Sequence, residues 1–305
     1  MTLRHKKYAL VKQWVTSRNI AGYPIPVWLY GPPGLGKTEV TIQLAEELEQ
    51  PIYFVVCSDI TTDTRVLGFR NASIGEYVEG AAYAWYKNGG ILFFNEIDNC
   101  AVSGLVALNT IVSNTKFRFP NGEWCVKHKD CYAIADANTL GTGSQAGFRR
   151  QSQDAAVRNR WAKVRLEYDE ALELALAPVP EWVEYVQKVR RATERLAKSN
   201  IYITPRDSII GSAALANGMA DDDVSDHLFS EFSDDAKAQV LKEVGVFRSR
   251  KNIPAPKPTP TPTATDEVED EQPWKHPQDK GLDSVPTWNE NNPYRKISKK
   301  IRQYE

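Results

Sequence analysis

The chain has little of several features that would mark other classes of protein. Its 38 Lys and Arg residues are balanced by 39 Asp and Glu residues. The composition therefore shows no basic excess of the kind that nucleic-acid-binding proteins carry. No apolar run is long enough to span a bilayer, and no apolar core follows the charged N-terminus as it would in a signal peptide. We therefore expect a cytoplasmic protein without a membrane partner, and the charge balance counts against nucleic acid.

Cysteine and histidine are also scarce, with four residues of each. The cysteines lack the paired spacing of a metal site, and the histidines are scattered along the chain. Cys57 and Cys131 lie at or beside apolar runs, where a buried free thiol is the expected state. A metal site made of Cys and His side chains is therefore not predicted.

A glycine-rich motif is the most informative feature that is present. An apolar run at 27–30 predicts a buried parallel strand, and a helix is predicted at 38–49. The residues between them fit G-x-x-x-x-G-K-[ST], in the strand–loop–helix context that this phosphate-binding motif requires. Lys37 is expected to reach the β- and γ-phosphates, and Thr38 to offer its hydroxyl to Mg²⁺. The predicted nucleotide-binding residues are Gly31, Pro32, Pro33, Gly34, Leu35, Gly36, Lys37, Thr38 and Glu39.

Four further apolar runs alternate with helical patterns, which predicts a parallel α/β sheet. These runs lie at 52–57, 91–94, 131–135 and 163–166. Asn121-Gly122, flanked by β-forming residues, predicts a hairpin within 116–127. Beyond residue 169 the pattern is helical, and one apolar face combines positions 182, 183, 186 and 189.

This organisation predicts three segments. An α/β nucleotide-binding domain at 1–168 is followed by a small α-helical lid domain at 169–250. Residues 251–305 begin with alternating prolines, typical of an extended linker, and continue as a tail. The tail is expected to be disordered, although its tryptophans leave open a short docking peptide on a tether.

The third apolar run ends in Asn95-Glu96-Ile97-Asp98. Ligands of open α/β sheets collect at such carboxyl ends. An acidic pair usually stands here, the first residue supporting Mg²⁺ and the second polarising the attacking water. Glu96 is therefore the catalytic candidate, and Asn95 and Thr38 are the metal-side candidates. The neutral amide of Asn95 is expected to hold the cation weakly, so that an aspartate there should strengthen Mg²⁺ binding. Asp98 is predicted to cap a helix that starts near residue 102.

The phosphate loop together with Asn95-Glu96-Ile97-Asp98 resembles the AAA+ ATPases. The segments 66–68, 75–80 and 89–92 resemble the helix-2 insertion of the MoxR and chelatase branch, which includes the dynein-related (AAA_5) subfamily. The hairpin at 116–127 matches the pre-sensor-1 hairpin of that branch. The stretch 135–143 is most similar to the small ATPase subunit of cobaltochelatase. The resemblance extends over about 25–215, and it implies an AAA+ P-loop NTPase fold with ATP and Mg²⁺ as cofactors.

The resemblance also implies roles for single residues. Asn138 corresponds to sensor 1, a polar side chain near the γ-phosphate. Arg160 corresponds to the arginine finger, which acts on the nucleotide of a neighbouring subunit, with Arg158 as the alternative. Arg206 corresponds to sensor 2 of the lid. Glu96, Asn138, Arg160 and Arg206 are therefore the predicted catalytic residues.

Three functions remain open at this point. The resemblance favours an ATP-hydrolysing motor that forms a homo-oligomeric, hexameric ring and remodels a client protein. A protein with a von Willebrand A-type domain is a possible partner, and a chelatase complex is a narrower version of this hypothesis. The second function is a nucleotide-gated scaffold with slow or no hydrolysis, for which Asn95 is the support. The third is a nucleic-acid motor, which the fold allows but the charge pattern does not favour.

Overall fold

A computed structural model of the chain describes residues 3–141, 153–196 and 201–249. The strands are β1 (Val27–Tyr30), β2 (Ile52–Val56), β3 (Gly68–Arg70), β4 (Tyr77–Glu79), β5 (Gly90–Asn95), β6 (Lys116–Arg118), β7 (Trp124–Val126), β8 (Cys131–Ala137) and β9 (Ala162–Arg165). The helices are α1 (Tyr8–Thr16), α2 (Lys37–Glu47), α3 (Asp63–Leu67), α4 (Ala81–Asn88), α5 (Val102–Ser113), α6 (Ala155–Arg158), α7 (Glu170–Leu176), α8 (Pro180–Glu194), α9 (Pro205–Ala216), α10 (Asp221–Leu228) and α11 (Asp234–Val244). The linker and tail predicted at 251–305 lie outside the described residues.

Five parallel strands form the central sheet, in the order β2-β5-β8-β1-β9. All five apolar runs predicted from the sequence are strands of this sheet. Alternate residues of β5 enter different cores, since Leu92 and Phe94 belong to one apolar cluster and Ile91 and Phe93 to the other. Both faces of the sheet are thus covered, which explains why its strands are almost continuously apolar.

The register of the sheet brings three strand ends together. Leu29 of β1 is paired with Asp136 of β8, and Phe94 of β5 is paired with Ala135 of β8. Because the strands are parallel, the loop after β1 and the residues after β5 lie at the same edge as the end of β8. β8 continues through Ala137, two residues beyond the predicted run, and this extension places Asp136 inside the strand.

Two small antiparallel pairs stand beside the main sheet. β6 pairs with β7, and the backbone N–H of Phe119 donates to the carbonyl of Glu123 across the turn. Gly122 has φ of +90°, which glycine adopts without strain. The hairpin predicted from Asn121-Gly122 is confirmed. β3 pairs with β4 within the segment that resembles the helix-2 insertion.

Helices α8 to α11 pack around a third apolar cluster. The predicted apolar face of α8 is confirmed, since Trp182, Val183, Val186 and Val189 are all buried. The same helix carries Arg190, whose guanidinium donates to both carboxylate oxygens of Glu173 on α7, at 2.7 and 2.9 Å. This ion pair joins two helices at a depth where neither charge reaches water.

Replacing Arg190 by alanine should lower the free energy of unfolding by about 3–5 kcal/mol, because Glu173 would remain buried without its partner. The matched control is Arg191→Ala on the same helix. Arg191 pairs with Glu170, and both side chains are more than two fifths exposed. Loss of that pair should cost no more than about 1 kcal/mol. Urea unfolding of the full chain measures both values, and equal losses would contradict a stabilising role for the buried pair.

All four cysteines are buried free thiols. No group of three or more His, Cys, Asp and Glu side chains within 3–141, 153–196 and 201–249 could hold a metal ion by itself. None of the helices in these ranges has both the length and the apolar character that crossing a bilayer requires.

Candidate functional site

The loop between β1 and α2 has the backbone of an anion-binding site. Gly34 and Gly36 have φ of +77° and +73°, a left-handed conformation in which a side chain would be strained. Gly36 is the N-cap of α2, so the first N–H groups of that helix border the loop. Free N–H groups and the helix dipole at such an end attract phosphate.

Lys37 is the first residue of α2, directly after this loop, and it is buried. Its Nζ donates to the carbonyls of Gly31 and Pro32, each at 2.8 Å, and to Oδ1 of Asn138 at 3.0 Å. Burial lowers the pKa of Lys37 to about 8, although the charges of Asp136 and Asp98 act in the opposite direction. The structure therefore brings the predicted sensor residue Asn138 into contact with the predicted phosphate-binding lysine.

Glu96 follows β5 in a conformation that is rare for a residue other than glycine. Its φ is +55°. Its backbone N–H donates to Oδ1 of Asp136 at 2.7 Å, and its own Oε2 accepts from Asn99 at 2.7 Å. Backbone strain of this kind persists where surrounding contacts fix it, and it is concentrated at functional sites. This is consistent with the catalytic role predicted for Glu96.

Asp136 is the residue of this site that sequence reasoning missed. It is 3% exposed, and its Oδ2 accepts from the hydroxyl of Thr38 at 3.2 Å. Nδ2 of Asn95 lies 3.1 and 3.2 Å from its two carboxylate oxygens. Burial raises the pKa of Asp136, while the N–H of Glu96 and the charge of Lys37 oppose that rise. The available signal was an acidic residue directly after the apolar run at 131–135.

The structure corrects the role predicted for Asp98. The N-cap of α5 is Ala101, which offers no side-chain acceptor. Asp98 lies three residues earlier, and its Oδ2 accepts from the backbone N–H and the hydroxyl of Thr139, at 3.2 and 2.8 Å. The capping prediction is wrong because Asp98 is buried, and the segment that follows β8 supplies the donors that such a carboxylate needs.

The start of α9 contacts the phosphate loop. A Cβ built on Gly34 would lie 3.2 to 3.4 Å from side-chain atoms of Thr204, Pro205 and Arg206. Thr204 and Asp207 form a capping box that fixes this helix end. The charge of Arg206 is near enough to lower the pKa of Lys37, although burial is the larger cause. The predicted sensor-2 arginine thus lies beside the loop.

A cavity of about 300 Å³ lies between the phosphate loop and the helical region. Pro32 of the loop forms one part of its wall. Residues 165–168 form a second part, and side chains of α8 with residues 201–203 form a third. A nucleotide held at the loop would have room beside it for its base and sugar.

Comparison with known protein families gives a match for part of the chain. Residues 26–161 match the family model of the AAA domain, dynein-related subfamily. Residues 26–161, a little under half of the chain, are thus similar to the AAA domain. The chain's parallel sheet, phosphate loop and flanking helices form the AAA+ P-loop NTPase fold, and the fold prediction is confirmed. An AAA domain implies nucleotide binding, typically with Mg²⁺, and its relatives typically assemble as rings.

Individual relatives are distant. An uncharacterized protein of Staphylococcus aureus (strain USA300) is 23% identical over 177 residues, which are 55% of this chain and 65% of the relative. The denitrification regulatory protein NirQ of Pseudomonas aeruginosa is 28% identical over 101 residues, 30% of this chain and 36% of NirQ. The matches thus cover less than two thirds of either relative. A solved structure of a candidate ATPase from Cytophaga hutchinsonii has 15% identity and a TM-score of 0.44 over 70% of this chain and 60% of that one.

Two predicted site residues lie away from these contacts. Arg160 precedes β9, whose first residue, Ala162, is paired with Val27. It therefore lies at the opposite end of the sheet from the phosphate loop of its own subunit. Its Nη1 donates to the carbonyl of Ala156, and the side chain is exposed. Glu39 is exposed on the first turn of α2, where it accepts from Gln43 at 3.2 Å.

The donor set fits a triphosphate with Mg²⁺. Thr38 offers a hydroxyl and Asp136 a carboxylate, and hard oxygen donors of this kind suit Mg²⁺. Lys37 and the loop N–H groups suit the phosphates. Bound Mg²⁺ would neutralise phosphate charge during transfer. Glu96 has a carboxylate at the same sheet edge that could accept a proton from an attacking water.

Proposed function

We propose that this chain is an ATP-hydrolysing AAA+ motor of the MoxR/chelatase type, which works as a ring to remodel a partner or client protein. One arrangement of side chains carries the proposal. Lys37 contacts Asn138, Glu96 stands at the same edge of the sheet, and Arg206 lies beside the loop on the first turn of α9. Binding alone needs the loop and its lysine. The additional polar and charged groups are what hydrolysis would need.

In this proposal each residue has one task. Lys37 and Arg206 stabilise negative charge on the phosphates, and Asn138 positions the γ-phosphate or the attacking water. Glu96 accepts the proton of that water. Because Arg206 belongs to the helical region at 169–250, that region would act as a lid whose position responds to the nucleotide.

A ring is part of the proposal because Arg160 cannot serve its own subunit's loop from the opposite end of the sheet. Acting on a neighbour requires a head-to-tail interface, and such an interface must close into a ring or continue as a filament. We propose a closed, hexameric ring, with a von Willebrand A-type protein as a candidate partner. A role in a chelatase complex is a narrower form of the same proposal.

The scaffold alternative depends on the amide at position 95. The contact between Asp136 and Thr38 weakens that support, because a carboxylate is present at the site in spite of Asn95. Steady-state ATP hydrolysis by the full chain discriminates the two functions. A motor should turn over more ATP per subunit as protein concentration rises and rings assemble. Absence of turnover at concentrations where native mass spectrometry detects rings would favour the scaffold.

Replacing Lys37 by alanine should weaken ATP binding by about 10- to 100-fold, since a hydrogen bond to a charged group contributes about 1.5–3 kcal/mol. Equilibrium dialysis with labelled ATP measures the change. Lys237→Ala is the control, because Lys237 is a partly exposed lysine on α11 that pairs with Asp226. ATP affinity equal to that of the control would refute the assignment of the phosphate loop.

A further inference from the structure

The buried carboxylate of Asp136 has a position that no sequence pattern assigned to it. It lies in β8 between the phosphate-loop strand β1 and strand β5. Only 3% of the residue is exposed, so its charge is nearly excluded from water. A carboxylate at this depth is costly unless its surroundings are arranged to receive it. Its neighbours therefore indicate what it does.

Those neighbours belong to two functional segments. Oδ2 accepts from the hydroxyl of Thr38 at 3.2 Å, and Oδ1 accepts from the backbone N–H of Glu96 at 2.7 Å. Nδ2 of Asn95 donates to the same carboxylate, and it also lies 3.5 Å from the hydroxyl of Thr38. Asp136 thus joins Thr38 to Asn95, the last residue of β5, and to Glu96, which follows it.

Residues 95 and 136 are chemically complementary. The amide of Asn95 is a donor, and the carboxylate of Asp136 is an acceptor. An aspartate at position 95 would place a second carboxylate about 3 Å from the first, a separation at which both cannot readily be ionised. The neutral residue at the end of β5, Asn95, is therefore explained by the charged residue in β8, Asp136. The two strands together provide one carboxylate at this point. It lies on β8, whereas the usual pattern places it at the end of β5.

We propose that Asp136 supplies the carboxylate of the Mg²⁺ site beside Thr38, and that Asn95 positions this carboxylate. The inference rests on the proposed nucleotide site and deepens it. In P-loop proteins Mg²⁺ is held by the loop Ser or Thr hydroxyl together with an aspartate. Here the hydroxyl belongs to Thr38, and the aspartate that contacts it is Asp136. Asp136 can act directly or through a metal-bound water, since Mg²⁺ keeps several waters in such sites.

The proposal reverses the expectation for Asn95→Asp. From the sequence, an aspartate at position 95 should strengthen Mg²⁺ binding. In the structure, the same change replaces a donor by a second acceptor against Asp136. The single variant should therefore bind Mg²⁺ no better than the unmodified chain. Moving the carboxylate, through Asn95→Asp combined with Asp136→Asn, keeps one donor and one acceptor in the pair.

The test measures metal dependence of nucleotide binding, apart from turnover. Four proteins are compared as full chains: the unmodified chain, Asp136→Asn, Asn95→Asp and the double exchange. Binding of a fluorescent ATP analogue is titrated with Mg²⁺, and Mn²⁺ bound in the presence of ATP is counted by electron paramagnetic resonance. Asp130→Asn is the control for loss of one negative charge, because Asp130 is a partly exposed residue that precedes β8 and pairs with Arg18.

Asp136→Asn should raise the Mg²⁺ concentration for half-maximal binding by about 10- to 100-fold, the range for lost metal-supporting groups. Binding of the analogue in EDTA is measured for each variant as the metal-free reference. The double exchange should recover most of the Mg²⁺ dependence, and Asp130→Asn should show none of these effects. Circular dichroism and thermal unfolding in EDTA verify that each variant is folded.

Two results would overturn the inference. The first is an unchanged Mg²⁺ titration for Asp136→Asn, which would make Asp136 a structural residue. The second result applies if that variant does not fold. A folded double-exchange variant without recovered Mg²⁺ dependence would then also make Asp136 a structural residue. Failure of the proposed function is a separate result, because the unmodified chain would then bind no ATP at any Mg²⁺ concentration.

Discussion

Rings in which Arg160 is replaced by alanine are expected to hydrolyse ATP about 10³- to 10⁵-fold more slowly, the range for loss of an arginine finger. ATP affinity should change little, because the residue lies at the opposite end of the sheet from its own phosphate loop. Turnover by the full chain and equilibrium dialysis with ATP measure the two quantities. Arg195→Ala, an exposed arginine that pairs with Glu243, is the control.

Mixed rings test whether Arg160 acts on a neighbour. Subunits with Arg160→Ala are combined with subunits carrying Lys37→Ala, each nearly inactive alone. An interface that joins the intact loop of one variant to the intact arginine of the other should recover part of the turnover. Mixed rings observed by native mass spectrometry without any recovery would argue against a shared site. Arg158→Ala, measured in parallel, decides between the two candidate arginines.

Replacing Glu96 by glutamine should reduce turnover by about 10²- to 10⁴-fold, the usual contribution of a general base. ATP should remain bound, because the change keeps the side-chain shape and leaves the loop untouched. The backbone N–H of Glu96 still donates to Asp136, so the metal side of the site is also preserved. Rapid-quench measurement of a single turnover separates this chemical step from nucleotide release.

The control for Glu96→Gln is Glu46→Gln on α2, where the carboxylate is exposed and away from the loop. It should leave turnover unchanged. If Glu96→Gln hydrolyses ATP at the rate of this control, Glu96 is not the catalytic carboxylate. If Glu96→Gln loses ATP binding together with turnover, the substitution has disturbed the site, and its effect on turnover says nothing about proton transfer.

Much of the fold could be predicted because the signals were local. The apolar runs of the sheet, the phosphate loop between β1 and α2, and the Asn-Gly hairpin each depend on residues adjacent in the chain. The buried face of α8 follows from helical periodicity alone. Asp98 shows where local reasoning fails, since a capping residue and a buried acceptor look alike until the loop after β8 is in place.

The sequence by itself determined that this chain has a phosphate loop, a catalytic carboxylate candidate after β5 and an amide at position 95. Only the tertiary structure decided which carboxylate stands beside Thr38. Positions 38, 95 and 136 are far apart in the chain, and parallel pairing of β1, β8 and β5 brings their side chains into contact. A carboxylate on β8 instead of β5 cannot be recognised from a sequence motif. A motif describes spacing along the chain, whereas a metal site depends on distances between neighbouring strands of the sheet.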